Sequence, residues 1–128
     1  MENPEAGVRQ IKIIIAEDDS INQRLLYYHL REITENLLFA DNGLEAVDLF
    51  EKNSDVSLIL MDLRMPGMNG VEATRKILEK DAHARVIALS AFTEEENDFD
   101  SEKLGFIGYL TKPVSKDLLI GTVKKYLD

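Results

Sequence analysis

Three consecutive acids, Glu17, Asp18 and Asp19, follow directly on the apolar run Ile11–Ala16. Asp62 closes a second apolar run, Leu58–Met61; Ser90 closes a third, Val86–Leu89; and Thr111-Lys112-Pro113 follows a fourth, Phe106–Leu110. Each piece alone has an ordinary explanation. An acidic cluster after a strand usually caps a helix or sits in a solvated loop, a serine usually caps, and a lone lysine usually lies on the surface. Brought together, they make a different chemistry. Carboxylates a few ångströms apart raise one another's pKa. A bound Mg2+ relieves that repulsion, because it takes oxygen ligands in an octahedron and keeps several waters. The same ion neutralises the charge that phosphoryl transfer has to carry. A lysine ammonium and a serine hydroxyl supply donors for further phosphoryl oxygens, and a carboxylate nucleophile can form an aspartyl phosphate.

The elements that must position these residues are legible. Five short apolar runs, the four above and Leu37–Ala40, alternate with five helix-like stretches. The first run is dominated by isoleucine and does not alternate strictly, which marks a strand buried on both faces. Strands alternating with helices predict βαβ crossovers and a parallel sheet, a (βα)5 architecture. Open sheets of this kind bind ligands at the carboxyl ends of their strands, where the acids, the serine and the lysine all fall. Helix starts are predicted from paired capping residues: Ser20 with Gln23, Asn42 with Glu45, Asn69 with Glu72, and Thr93 with Glu96. Ser115 caps the last helix, with Asp117 in its first turn. Ile21, Leu25, Leu26, Leu30 and Ile33 recur at helical spacing in the first helix, as do Leu119, Val123, Tyr126 and Leu127 in the last.

Bulk properties set the frame. The 128 residues, 45% hydrophobic and 30% charged, suit one soluble domain with a real core. No apolar run approaches the roughly 20 residues that cross a bilayer, and Met1–Gln10 lacks the pattern of a signal peptide. Cysteine is absent, which excludes disulfides and thiol chemistry. A net charge of −9 argues against nucleic-acid binding. The expectation is a cytoplasmic module, with residues 1–10 as an extension and 11–128 as the domain.

The ordered motifs resemble the receiver domain of response regulators over nearly the whole chain. Ile13-Ile14-Ile15-Ala16-Glu17-Asp18-Asp19 resembles that family's first strand with its acidic end, and Leu60 through Gly70, with Asp62, Met65-Pro66 and Gly70, its phosphoacceptor motif. Ala88-Leu89-Ser90-Ala91 resembles the switch strand and Gly108 through Pro113 the strand ending in Lys-Pro. The resemblance implies a flavodoxin-like, doubly wound sheet of strand order 2-1-3-4-5. It implies that Asp62 is the phosphoacceptor and a Mg2+ ligand, that Asp18 ligates directly and Glu17 through water, and that the Arg64 carbonyl completes the protein ligands. Asp19 stands where the family often has Asn and is read as a neighbour. Ser90 would bond the phosphoryl group, Lys112 would pair with it, Tyr109 would be an aromatic rotamer switch, and the Lys112–Pro113 bond would be cis. Phe92 and Arg64 would flank the phosphoryl pocket and influence its access to water. Expected partners are a histidine kinase or a histidine phosphotransfer protein, with phosphorylation-dependent dimerisation as a further implication, and no membrane insertion. The domain would catalyse only its own phosphorylation and dephosphorylation.

Ser20-Ile21-Asn22-Gln23 and Met65 through Gly70 look most like receivers of hybrid histidine kinases and phosphorelays. The segment Thr93–Lys103 departs from the pattern: six acids against one lysine give −5, more than half the net charge. It reads first as a solvated face and second as a partner-selecting surface. His29, His83, Tyr27 and Tyr28 read as packing or surface residues. Among alternatives, a receiver-like interaction module that is never phosphorylated would tolerate loss of the acids or the lysine, all of which are present. A dehalogenase-like phosphatase needs a second Asp two residues after its nucleophile, where this chain has Arg64. A flavin-binding protein would have its FMN phosphate repelled by the acidic edge.

Overall fold

The computed structural model describes residues 10–91 and 101–127. Five strands, β1 (Ile13–Ala16), β2 (Leu37–Ala40), β3 (Leu58–Asp62), β4 (Val86–Ser90) and β5 (Gly108–Thr111), form one parallel sheet in the order β2-β1-β3-β4-β5. Four described helices, α1 (Ser20–Leu30), α2 (Gly43–Lys52), α3 (Gly70–Lys80) and α4 (Lys116–Leu127), cover its two faces. The helix predicted from Thr93, together with Phe92, lies outside the described residues, as does the extension up to residue 9.

Side chains alternate across the pleat, and the alternation sorts the core into two layers. Ile14, Ala16, Ile59, Met61, Val86 and Ala88 point to the face covered by Ala46 and Val47 of α2 and Ala73 and Ile77 of α3. Ile13, Ile15, Leu58, Leu60, Ile87, Leu89 and Leu110 point to the other, covered by Leu26 and Leu30 of α1 and Leu119 and Val123 of α4. Both neighbours of a central parallel strand are strands and both faces are helices, so its residues must be apolar throughout. That is why the runs in β1, β3 and β4 do not alternate. Burying each Leu or Ile contributes about 1.5–3 kcal/mol.

The caps refine two expectations. Asn42 and Asn69 cap α2 and α3 as predicted, accepting from the Glu45 and Glu72 N–H groups at 2.8 and 2.9 Å. Glu45 reaches back one residue further than the capping box requires, to the Asp41 N–H. The Ser20 cap is corrected: Asp19 caps α1, accepting from the Ile21 N–H at 2.8 Å, and Ser20 is the first helical residue. A carboxylate is the better acceptor beside the positive end of the helix dipole. A second correction concerns the apolar face of α1. Leu26 and Leu30 are buried, but Ile21 and Leu25 are 76% and 45% exposed.

The helix starts are also set by close approach. A Cβ on Gly70 would lie 2.1 Å from the Asp62 carbonyl oxygen, and one on Gly43 would lie 2.4 Å from that of Met68. The turn after β3 is thus packed against the backbone of Asp62 itself. Gly121, in contrast, sits inside α4 with nothing within 4 Å of its missing Cβ. Gly70→Ala should therefore destabilise the domain by about 1–3 kcal/mol through overpacking, whereas Gly121→Ala should stabilise it by about 0.5–1 kcal/mol. Urea unfolding midpoints of the two variants, moving in opposite directions from the parent, check both.

Candidate functional site

The carboxyl edge of the sheet collects the predicted residues because parallel strands all end on the same side. β1 delivers Glu17 and Asp18, β3 ends on Asp62, β4 ends on Ser90, and β5 leads into Lys112. Glu17, Asp62 and Ser90 are buried, while Asp18 is exposed. One carboxylate oxygen from each of Glu17, Asp18 and Asp62 falls within 4.8 Å of the others. An all-oxygen, anionic donor set of this size suits a hard divalent cation such as Mg2+ and offers nothing to a thiolate- or imidazole-seeking metal.

Among the described residues, Lys112 supplies the positive charge at the centre of this cluster. Its Nζ donates to Glu17 Oε2 at 2.8 Å and to Asp62 Oδ2 at 2.7 Å. The position of Nζ is set by the backbone: the Lys112 N–H donates to the Ser90 carbonyl at 2.7 Å, continuing the β4–β5 ladder by one residue. The Lys112–Pro113 peptide is cis, as the resemblance implied. Asp62 Oδ1 accepts from the Arg64 N–H at 3.1 Å, so each oxygen of Asp62 has one donor.

The ionisation of the pair follows from burial and partners. Burial pushes the Glu17 pKa up, the neighbouring Asp62 pushes it further the same way, and Lys112 and Asn22 only partly offset them. For Lys112, burial alone would favour the neutral amine. Its hydrogen bonds and charge interactions with Asp62 and Glu17 outweigh burial and hold its pKa above the usual lysine value. The ammonium is therefore held charged between two carboxylates, one of which resists ionisation.

Not every residue singled out in the sequence joins this cluster. Tyr109 lies on β5 beside Ala88 in the register and is 59% exposed. Asp19 serves as the α1 cap. Tyr27 and Tyr28 are exposed and meet edge to face, with Arg31 over the Tyr28 ring at 5.1 Å. His83 is exposed, but His29 lines a cavity of about 230 Å³ between α1 and the segment after β5, with Leu25, Pro113 and Val114. Of the acidic segment Thr93–Lys103, only Ser101, Glu102 and Lys103 are described. Two residues have a role at the site that the sequence reading did not give them: Asn22 stood there only in a motif, and Gln23 as the capping partner of Ser20. Asn22 Nδ2 donates to Glu17 Oε1 at 2.8 Å. Gln23 Nε2 donates to the Glu17 carbonyl and to Asp41 Oδ1, tying the end of β1 to the end of β2. Their signal was position: once α1 starts at Ser20, its first turn abuts the acidic edge.

Lys112→Met keeps the stem but leaves the Glu17 and Asp62 carboxylates without their cation, and should cost about 1–3 kcal/mol. Adding Asp62→Asn should recover part of that loss, because the two positions share one network. Urea unfolding in metal-free buffer measures both; a Lys112→Met variant as stable as the parent would refute the coupling.

The sequence profile of the response regulator receiver domain matches residues 13–124. Chemotaxis protein CheY of Halobacterium salinarum is 34% identical over 116 residues, covering 91% of this chain and 96% of that protein. Among solved structures, the response regulator TrrA of Thermotoga maritima in complex with Mg2+–BeF aligns with a TM-score of 0.81 at 30% identity, over 91% of this chain and 99% of that one. The complex of the Saccharomyces cerevisiae histidine phosphotransfer protein Ypd1 with the receiver domain of its downstream response regulator Ssk1 contains a chain that aligns with a TM-score of 0.80 at 28% identity, over 92% and 89%.

Proposed function

Because the chain belongs to the response regulator receiver family of two-component signalling, we propose that it takes a phosphoryl group from a phosphohistidine onto Asp62. The observation that carries this reading is the buried Asp62 carboxylate at the end of the central strand β3, held by the Arg64 N–H on one oxygen and by Lys112 on the other. In the transfer, an Asp62 carboxylate oxygen forms a bond to phosphorus while the bond from phosphorus to the donor imidazole nitrogen breaks. The imidazole leaves with that electron pair. Lys112 then exchanges an Asp62 oxygen for a phosphoryl oxygen, and the Ser90 hydroxyl, at the end of the neighbouring strand, donates to another. Asp18, Asp62 and the Arg64 carbonyl would hold Mg2+, with Glu17 acting through water. When bound, the ion supplies charge neutralisation for the transferring group.

Residues 11–128 make up the receiver unit in this reading, and 1–10 an extension. The partner is a histidine kinase or a histidine phosphotransfer protein, as in the phosphotransfer complex of the yeast relative. The setting is the cytoplasm, and a phosphorylation-dependent dimer is one mode of output. No described helix is long and apolar enough to cross a membrane. Receiver domains are signalling modules, and turnover here is confined to the domain's own Asp62. Intact-mass measurement after treatment with acetyl phosphate and Mg2+ should add one phosphoryl group, and Asp62→Asn should add none. Modification that persists in Asp62→Asn, or no modification with any phosphodonor, removes the assignment.

The switch reading rests on placement. Ser90 closes β4, while Tyr109 stands outward on the adjacent β5. Movement of Ser90 toward the phosphoryl group would open the space into which Tyr109 turns, changing the surface beside β5. The phosphoryl group shifts that equilibrium only by its unequal contacts with the two arrangements. Ser90→Ala should therefore still accept phosphate on Asp62, while the NMR response at Tyr109 shrinks to less than half that of the parent. A full response in Ser90→Ala would place the coupling elsewhere.

A further inference from the structure

Glu17 is fully buried, and its two carboxylate oxygens face different partners. Oε2 accepts from Lys112 Nζ at 2.8 Å, on the side of Asp62, and Oε1 accepts from Asn22 Nδ2 at 2.8 Å, on the side of α1. A buried carboxylate with a single cationic neighbour has two competing ways to relax. It can turn both oxygens onto the ammonium, or it can swing away from the second carboxylate that shares that ammonium. Neither arrangement leaves an oxygen free toward the acidic cluster of Asp18 and Asp62.

We propose that Asn22 is a positioning residue for the divalent-cation site: by holding Glu17 Oε1, it keeps Oε2 directed at the space shared by Lys112, Asp62 and the ion. This rests on the phosphoacceptor reading above and adds to it a residue that touches neither the phosphoryl group nor the metal. The side-chain type fits the task. An amide donates a hydrogen bond without carrying charge, so it orients Glu17 while leaving its full negative charge for the cation. A lysine or arginine in its place would neutralise Glu17 and compete with the ion.

The surroundings make Asn22 a fixed anchor. It lies in the first turn of α1, whose start is set by the Asp19 cap. The next residue, Gln23, grips the Glu17 backbone carbonyl and Asp41 with its own amide. The backbone of Glu17 and the helix that carries Asn22 are thereby locked to each other, so the Nδ2–Oε1 bond is made between two rigid pieces. Hydrogen-bond partners of direct metal ligands are worth about 10–100-fold in metal affinity; Glu17 acts through water, which sets the Asn22 bond at the low end of that range.

The test is Mg2+ titration of the full chain by calorimetry, with urea unfolding of the same proteins in metal-free buffer. Asn22→Ala and the shape-conserving Asn22→Leu should weaken Mg2+ binding about tenfold under conditions where both variants are folded, while the metal-free unfolding midpoint also falls because Glu17 Oε1 loses its donor. On a Glu17→Ala background, Asn22→Ala should have no further effect on Mg2+ affinity, because the carboxylate it orients is gone. Asp18→Ala serves as the reference for loss of a direct ligand. If the parent binds Mg2+, Asp18→Ala does not, and both Asn22 variants bind like the parent, the positioning role is wrong and the metal reading stands. The role is equally wrong if Asn22→Ala weakens binding by the same factor with Glu17 absent. If the parent itself shows no Mg2+ binding, the metal reading falls and takes this inference with it.

Discussion

A single ammonium group between two buried carboxylates sets the terms for the rest of this molecule. Lys112 Nζ is within 2.8 Å of both Glu17 and Asp62, which are 0% and 4% exposed. Removing charges from water is costly, and the attraction between them compensates only when geometry is fixed and every lone pair has a partner. The fold meets that condition with backbone rather than with flexible side chains. Glu17 follows β1, Asp62 ends β3, and Lys112 is held by its own N–H on the Ser90 carbonyl. The remaining oxygens are taken by the Arg64 N–H and the Asn22 amide, each a neutral donor. Three strands of one sheet therefore have to keep register for the charges to remain paired.

The two apolar layers explain how that register is kept. With β1, β3 and β4 buried on both faces, a slip by one residue would exchange Ile13, Ile15, Leu58 and Leu60 with Ile14, Ala16, Ile59 and Met61. The exchanged sets are both apolar, so burial alone does not forbid the slip. Size does contribute: a slip would put the larger Ile15 and Ile87 or Leu89 in the places that Ala16 and Ala88 fill on the α2–α3 face. The turn after β3 adds a second lock. Gly70 packs on the Asp62 carbonyl, and the Gly70 N–H donates to the Leu63 carbonyl at 3.1 Å. Moving Asp62 along its strand would break that contact before it broke the core.

Most of this frame was legible in the sequence, for reasons that are local. β2 matches its apolar run residue for residue, and β3 and β4 run one residue past theirs onto Asp62 and Ser90, because both residues still pair in the sheet. β1 starts at Ile13, since Ile11 packs against the core without joining a strand, and β5 starts at Gly108, since Phe106 is buried from the preceding turn. The Asn caps of α2 and α3 were read correctly because each precedes its Glu by three residues, and the rival beside Asn42, Asp41, is taken by the Gln23 amide. At α1 the rival prevails. Asp19 sits one residue before Ser20, and the choice between them depends on where the β1–α1 turn places the helix axis, which spacing does not encode. Ile21 and Leu25 are a different case: at 3.6 residues per turn they stand about 180° and 140° around the helix from Leu30, so helical phase itself sets them off the face that Leu26 and Leu30 bury. The acids, Ser90 and Lys112 were found by their place at strand ends. The bond from Asn22 to Glu17 was not, because an amide on a helix acquires a role only once the partner's rotamer is known.

The charge balance at the edge suggests why the pairing is only partial. Three carboxylates, Glu17, Asp18 and Asp62, surround one ammonium, and burial already biases Glu17 toward its protonated form. A design for stability alone would replace this cluster with apolar side chains, which commonly matches or exceeds a buried ion pair. Retaining excess negative charge leaves the site short of positive charge, and any cation that binds the folded state stabilises it by linkage. The same shortage keeps Lys112 shared between two anions rather than committed to one. In the proposed phosphoacceptor reading its ammonium would turn toward a phosphoryl oxygen on Asp62, while the Asn22 amide remains on the other oxygen of Glu17. The apolar layers beneath give that edge a rigid base.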